Sequence, residues 1–146
     1  MKRNLLKISI IAIVVGVVAI VASCQKDNDT SGPVVSGIHN SECGEHLDAS
    51  GAKFLDENEG YVVSVDSGIV NVLHVNWMVP CDYHNITVAI SLQGSVVNVN
   101  ECCSGGAANC ICQIDNVYNI SDLPSGTYTI FFSVCSEFKY SAQVTI

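Results

Sequence analysis

Four of the chain's eight cysteines lie within twelve residues, Glu101 to Cys112, in the stretch ECCSGGAANCIC. Two further cysteines sit in C-x-x-H pairs, Cys43 with His46 in CGEH and Cys81 with His84 in CDYH, and His39 lies shortly before the first. Four such side chains can close a tetrahedral zinc site. A C-x-C beside a C-C pair also suits a soft ion such as copper(I). The same cysteines, once oxidised, form disulfides and can no longer ligate. The two chemistries exclude one another, so the compartment decides between them, and the spacings are not those of a zinc ribbon.

The compartment is written at the start of the chain. The basic segment MKRNLLK precedes an uncharged run, Ile8 to Val21, of about 14 residues, short of the roughly 20 that a spanning helix requires. A basic n-region, a short apolar core and small residues after it make a secretory signal. The core ends in VASC, Val21 to Cys24, which resembles the lipobox of bacterial lipoproteins. That resemblance implies cleavage before Cys24, acylation of its thiol, and a membrane partnership through the lipid. Two or more acyl chains give stable anchoring where one gives marginal binding. The following QKDND resembles the acidic export signal of Bacteroidota-type surface lipoproteins. It implies an outer-membrane protein displayed at the cell surface, with the periplasm-facing leaflet as the alternative. The expected organisation is a signal peptide over residues 1–23, a flexible acidic tether over 24–37 and a folded domain over 38–146.

Cleavage would remove Lys2, Arg3 and Lys7 and none of the 14 acidic residues, so 123 residues remain with Lys26, Lys53 and Lys139 against 14 carboxylates, a net charge of −11. This length buries one core. The acidity argues against nucleic acid as a partner, which demands basic patches. A protein, an envelope component or a glycan remains open.

The segments that must position the cysteines read as strands. Val, Ile, Thr and Tyr dominate, and no window carries a helical stripe. YVVSV, DSG and IVNVLHVNWMV suggest a hairpin with a three-residue loop ending in Gly68. On its long second strand Ile69, Leu73, Val75, Trp77 and Val79 would share a face, with His74 off it as a structural residue, and Pro80 would end it. NITVAISL alternates, with Ile86, Val88, Ile90 and Leu92 on one side. A turn at Gln93-Gly94 would set Ile90 opposite Val97 and Val88 opposite Val99. Extended, that register sets His84 opposite Cys103 and Asn85 opposite Cys102. VVSGI, VYNIS, TYTIFFSV and KYSAQVTI bring the count to seven or eight strands. The expected fold is all-β, an antiparallel two-sheet sandwich. LPSGTYTI resembles the tyrosine corner of immunoglobulin-like sandwiches, which implies a Tyr128 hydroxyl bonded back to the backbone; a C2- or PLAT-like sandwich would share these strands.

With Cys24 assigned to lipid, seven cysteines remain as disulfide candidates: Cys43, Cys81, Cys102, Cys103, Cys110, Cys112 and Cys135. Export favours oxidation. An odd number permits at most three bridges and leaves one thiol. The hairpin brings Cys81 beside the ECCSGGAANCIC stretch, so a bridge into it is expected, with Cys112 or Cys110 ahead of Cys103. Neighbours Cys102 and Cys103, and the C-x-C pair, close only with strain. Cys43 and Cys135 are candidates to pin the N-terminal segment to later strands. The set Cys43, His46, Cys81 and His84 is the alternative, a zinc- or copper-handling site.

From VNWMVPC through ANCICQID to LPSGTYTI the chain resembles small cysteine-rich Bacteroidota-type lipoproteins, on Cys81, Cys110, Cys112, Asp115, Leu123, Gly126 and Tyr128. That resemblance implies a fold and no activity. G-x-S-x-G, H-E-x-x-H and the nucleotide-binding glycine loops do not occur. A Cys103–His84 nucleophile pair lacks an orienting third group. LDENEG, with Asp56, Glu57 and Glu59, offers a weak calcium loop or a solvated turn. Tyr83 and Phe138 are the aromatics placed to meet a glycan, and Trp77 belongs to the core. The expectation is a lipid-anchored, disulfide-stapled, non-catalytic binding or accessory protein without a cofactor.

Overall fold

The computed structural model describes residues 32–47, 58–107 and 109–146. The signal segment, Cys24 and most of the tether lie outside them, as do Asp56 and Glu57. The described chain forms eight strands: β1 (Val34–Asn40), β2 (Gly60–Asp66), β3 (Ile69–Pro80), β4 (His84–Gln93), β5 (Val96–Ser104), β6 (Ile111–Ser121), β7 (Thr127–Val134) and β8 (Glu137–Thr145). They build two four-stranded sheets, β1-β6-β3-β2 and β4-β5-β7-β8, packed as the expected two-sheet sandwich. The sheets are antiparallel apart from the β5–β7 pair, which is parallel. No helix among the described residues is long and apolar enough to cross a membrane.

Alternation along the strands explains most of the packing. Val97 and Val99 of β5, Tyr118 and Ile120 of β6, and Ile130 and Phe132 of β7 turn inward with Val70 and Val72 of β3 to make the main core. A smaller cluster, Trp77, Val79 and Ile114, lies nearer the other end with Cys103, Cys112 and Val134 packed on it. Trp77 is core, as expected. Tyr128 closes the tyrosine corner, its hydroxyl donating to the Pro124 carbonyl at 2.8 Å.

Three strand details differ from expectation. The β2–β3 hairpin pairs Asp66 with Ile69, so its loop is the two residues Ser67 and Gly68, both at positive φ. That is the turn whose twist matches the flanking strands. The β4–β5 turn lies one residue later, at Gly94-Ser95: Gln93 pairs with Val96, Leu92 with Val97 and Ile90 with Val99. The register is shifted by two residues, which leaves every side chain on its expected face. On β3 the face itself changes. Val75 and Asn76 together oppose one residue of β6, a bulge between the pairs His74–Asn116 and Trp77–Ile114. Before it the inward residues are Val70, Val72 and His74; after it they are Trp77 and Val79. Ile69, expected inward, is 39% exposed.

Candidate functional site at the cysteine end of the sandwich

β3, β5 and β7 end, and β4, β6 and β8 begin, at one end of the sandwich, and all seven cysteines among the described residues gather there. The expected bridge forms as Cys81–Cys110, beside the Cys81 N–H bond to the Cys110 carbonyl that prolongs the β3–β6 ladder. The second bridge is Cys43–Cys112, whose Cα atoms lie 5.5 Å apart. Cys43 therefore pins the segment after β1, as expected, but to the C-x-C rather than to Cys135. Cys102, Cys103 and Cys135 are thiols. The shifted hairpin register sets Thr87 opposite Cys102, and a bulge at the start of β4 sets His84 opposite Ser104, which together replace the expected pairs His84–Cys103 and Asn85–Cys102.

The alternative metal set is not assembled. Cys43 and Cys81 are consumed by separate disulfides, the His46 ring nitrogen lies 3.2 Å from an Asp115 oxygen, and that of His84 lies 3.1 Å from the Asp82 carbonyl. Among the described residues no group of three or more His, Cys, Asp or Glu side chains is disposed to hold a metal ion. The Cys103–His84 pair is not assembled either. Cys103 packs on the Trp77 cluster, and burial pushes its thiol up, while His84 is exposed.

The loop between β5 and β6 is held by a carboxylate. Asp82 accepts the Gly106 and Ala107 N–H groups, each at 2.9 Å. Gly105 permits the approach: a Cβ there would lie 2.7 Å from the Asp82 carbonyl oxygen, and its φ is +126°. On the outer face of β6, Asp115 does similar work. It accepts the Leu47 and Asn76 N–H groups, both at 3.0 Å, while its own N–H donates to the Ser41 hydroxyl at 2.9 Å. One side chain thus fastens the Cys43 segment and the β3 bulge. Tyr83 does not offer a free face to a glycan. Its ring packs on the Trp77 cluster, and its hydroxyl donates to the Ser41 carbonyl and accepts from the Asn40 amide. Phe138 is 58% exposed.

Beneath the cysteines lies a polar layer that sequence reasoning missed. Read toward the cysteine end, the inward residues of β3 run Val72, His74, Trp77; those of β5 run Val99, Glu101, Cys103; those of β6 run Tyr118, Asn116, Ile114. Glu101, His74 and Asn116 are each fully buried. Glu101 accepts the Tyr61 hydroxyl at 2.5 Å and the Asn116 amide at 3.1 Å. His74 Nδ1 lies 2.9 Å from Glu101 Oε2, and its Nε2 lies 3.2 Å from Glu59. The Nδ1 contact is an ion pair that does not count as a hydrogen bond. Tyr61 stacks on the imidazole with ring centroids 4.1 Å apart. Burial alone would depress the His74 pKa, but the two carboxylates outweigh it and raise it. The His74 contact lowers that of Glu59. Burial, then the Glu101 charge, push the Tyr61 and Tyr118 hydroxyls up. The alternation of Val97, Val99 and Glu101 already placed a carboxylate on the core face of β5; that was the signal available.

No family model, curated protein or solved structure matches this chain. Of the residues carrying the lipoprotein resemblance, Cys81 and Cys110 pair together, Cys112 bridges elsewhere, Asp115 clamps, and Leu123 and Tyr128 are buried around the corner.

Proposed function

We propose that this is a lipid-anchored, extracytoplasmic binding or accessory protein without catalytic chemistry of its own. The observation that carries the proposal is the pair of disulfides joining distant segments, since such bridges persist in oxidising compartments. It agrees with the lipobox VASC and the export-signal resemblance of QKDND, which favour an outer-membrane protein at the cell surface.

The strand directions add an orientation to that reading. Val34 pairs with Ser121 at the end of β6, opposite the cysteines. Cys24 precedes Gly32 by eight residues, a reach of at most about 29 Å. A tether so placed attaches the domain at the end opposite the cysteines. The partner would be a protein, an envelope component or a glycan, met by an acidic surface on which, among the described residues, Phe138 and Tyr140 of edge strand β8 are the exposed aromatics.

Metabolic labelling with an alkyne fatty acid tests the anchor. The wild-type chain should carry label and the Cys24→Ala variant none; label on the variant would refute it. Protease treatment of whole cells should digest the domain if it is surface-displayed. Digestion only after outer-membrane permeabilisation would assign it to the periplasmic face.

A further inference from the structure

Three thiols remain at the cysteine end, and sheet geometry sorts them. Along β5, Val97, Val99, Glu101 and Cys103 turn inward, so Cys102 turns outward. Along β7, Ile130 and Phe132 turn inward and Val134 packs on the Trp77 cluster; the next residue, Cys135, is exposed in the turn that follows. The two strands are parallel neighbours, with Asn100 paired to Ser133 and Glu101 to Val134. One step further, Cys102 meets Cys135. The ladder continues to that point, since the Cys135 N–H donates to the Glu101 carbonyl at 2.8 Å. Neighbouring strands lie about 4.8 Å apart, within the Cα separations that disulfides span.

The surroundings hold the two sulfurs together. Cys135 and Ser136 form the two-residue turn between β7 and β8, with φ of 46° and 71°. Asn100 ties that turn to Cys102: its Oδ1 accepts the Ser136 N–H at 2.7 Å, and its Nδ2 lies 3.7 Å from the Cys102 sulfur. A hydrogen bond with Cys102, then burial, hold the Cys135 thiol above its ordinary range, as expected for sulfurs in direct reach of one another.

We propose that Cys102 and Cys135 are an exchangeable thiol–disulfide pair on the outer face of the second sheet, and that Cys103, turned into the core, is the one permanent thiol among the described residues. The exchange partner of the pair is a disulfide, met stoichiometrically, so the pair adds a redox state to the binding protein and no catalysis. Cys135 is the exposed member and is the point of entry. As thiolate it attacks one sulfur of the incoming disulfide, forming a mixed disulfide and releasing one thiol. Cys102 then loses its proton and attacks the Cys135 sulfur, closing the intramolecular bridge and releasing the second thiol. The pair gives up two electrons and two protons, and the incoming disulfide leaves as two thiols. The reverse sequence reduces the pair. Sheet register assigns this pair, so it stands or falls independently of the lipid anchor.

The test uses the soluble domain beginning after Cys24, which contains every strand of the sandwich, treated with oxidised glutathione and then iodoacetamide without reductant. Peptide mapping should show a Cys102–Cys135 link and carbamidomethyl on Cys103 alone. In Cys135→Ser, Cys102 should become glutathionylated or alkylated while both other bridges persist. Across a series of reduced-to-oxidised glutathione ratios, the Cys102–Cys135 link should open at ratios that leave Cys43–Cys112 and Cys81–Cys110 closed. Alkylation of all three thiols after oxidation, or a link from either cysteine to Cys103, would overturn the pairing. Opening of all three bridges together would overturn its exchangeable character.

Discussion

Glu101 is the residue on which the polar layer depends. A carboxylate removed from water is costly unless its charge and its lone pairs are met. Here Tyr61, Asn116 and His74 meet them. Glu101→Ala leaves the imidazole without its buried partner and should destabilise the fold by about 3–5 kcal/mol. Glu101→Gln keeps an oxygen to accept hydrogen bonds and should cost less. Urea midpoints check the order, and equal losses would show that the charge is immaterial. The layer also sets a pH dependence. Because the pKa of His74 is raised above 6.5 in the folded protein, its contribution is fully present below pH 6.5 and disappears as pH rises through the raised value. Glu59 works in the opposite sense. Its pKa is lowered from 4.5, so its contribution is present above pH 4.5 and fades as pH falls through the lowered value. The urea midpoint should therefore be highest near pH 5–6 and decline toward pH 9, with the His74 imidazole titrating by NMR later than an exposed histidine. A midpoint that rises across that alkaline range would contradict the ion-pair account.

At the scale of elements, what was legible in the sequence is what alternation controls. β7 and the faces of β4 and β5 follow from period two, and a hairpin register wrong by two residues still left those faces intact. Bulges were not legible. One extra residue at Val75-Asn76 reverses which residues of β3 turn inward, exchanges Ile69 for Val70, and carries His74 into the interior. The strand composition does not announce this; the sole local trace is an asparagine at positive φ, repeated as Asn85 in the bulge at the start of β4, in a region that Asn tolerates better than most residues. The polar layer was missed for the same reason, since His74 meets Glu101 only after the bulge has set the strand's face. Cys81 found its partner region correctly because the connection from β3 to β4 is short, and strand order alone brings Cys110 beside it. Loop contacts such as Asp82 with Gly106 and Ala107 depend on backbone geometry that composition does not encode. They yield a further prediction. Gly105→Ala forces a Cβ against the Asp82 carbonyl at a φ that L-residues rarely adopt. It should lower stability by about 1–3 kcal/mol, and it should speed reduction of the adjacent Cys81–Cys110 bridge. Unchanged stability and unchanged reduction kinetics would mean that the loop relaxes freely.

Across the whole molecule the two ends differ in kind. One end joins strands by the tight turns at Ser67-Gly68 and Gly94-Ser95 and by the tyrosine corner, and carries the main apolar core behind it. The other end has the polar layer, a small apolar cluster, the longer β1–β2 and β5–β6 connections and the disulfides. Hydrophobic packing therefore weakens toward the cysteine end, and cross-links offset that weakness where it occurs. The bridges are nested, Cys81–Cys110 lying within the chain enclosed by Cys43–Cys112, with separations of 29 and 69 residues. Loop entropy is logarithmic in length, so closing the inner loop first reduces the outer contribution only slightly, and each bridge should contribute about 4 kcal/mol through the unfolded state, at the upper end of the usual range. Full reduction should consequently lower the urea midpoint sharply, and the loss should be uneven in space. Hydrogen exchange on the reduced domain should accelerate first at Ser41 to Leu47 and around Asp82 and the Gly105–Ala107 loop, while β5, β6 and β7 amides next to Val97, Ile120 and Ile130 remain protected until global unfolding. Uniform acceleration across both ends would show instead that the sandwich unfolds as one cooperative unit and that the bridges stabilise it without regard to where they lie.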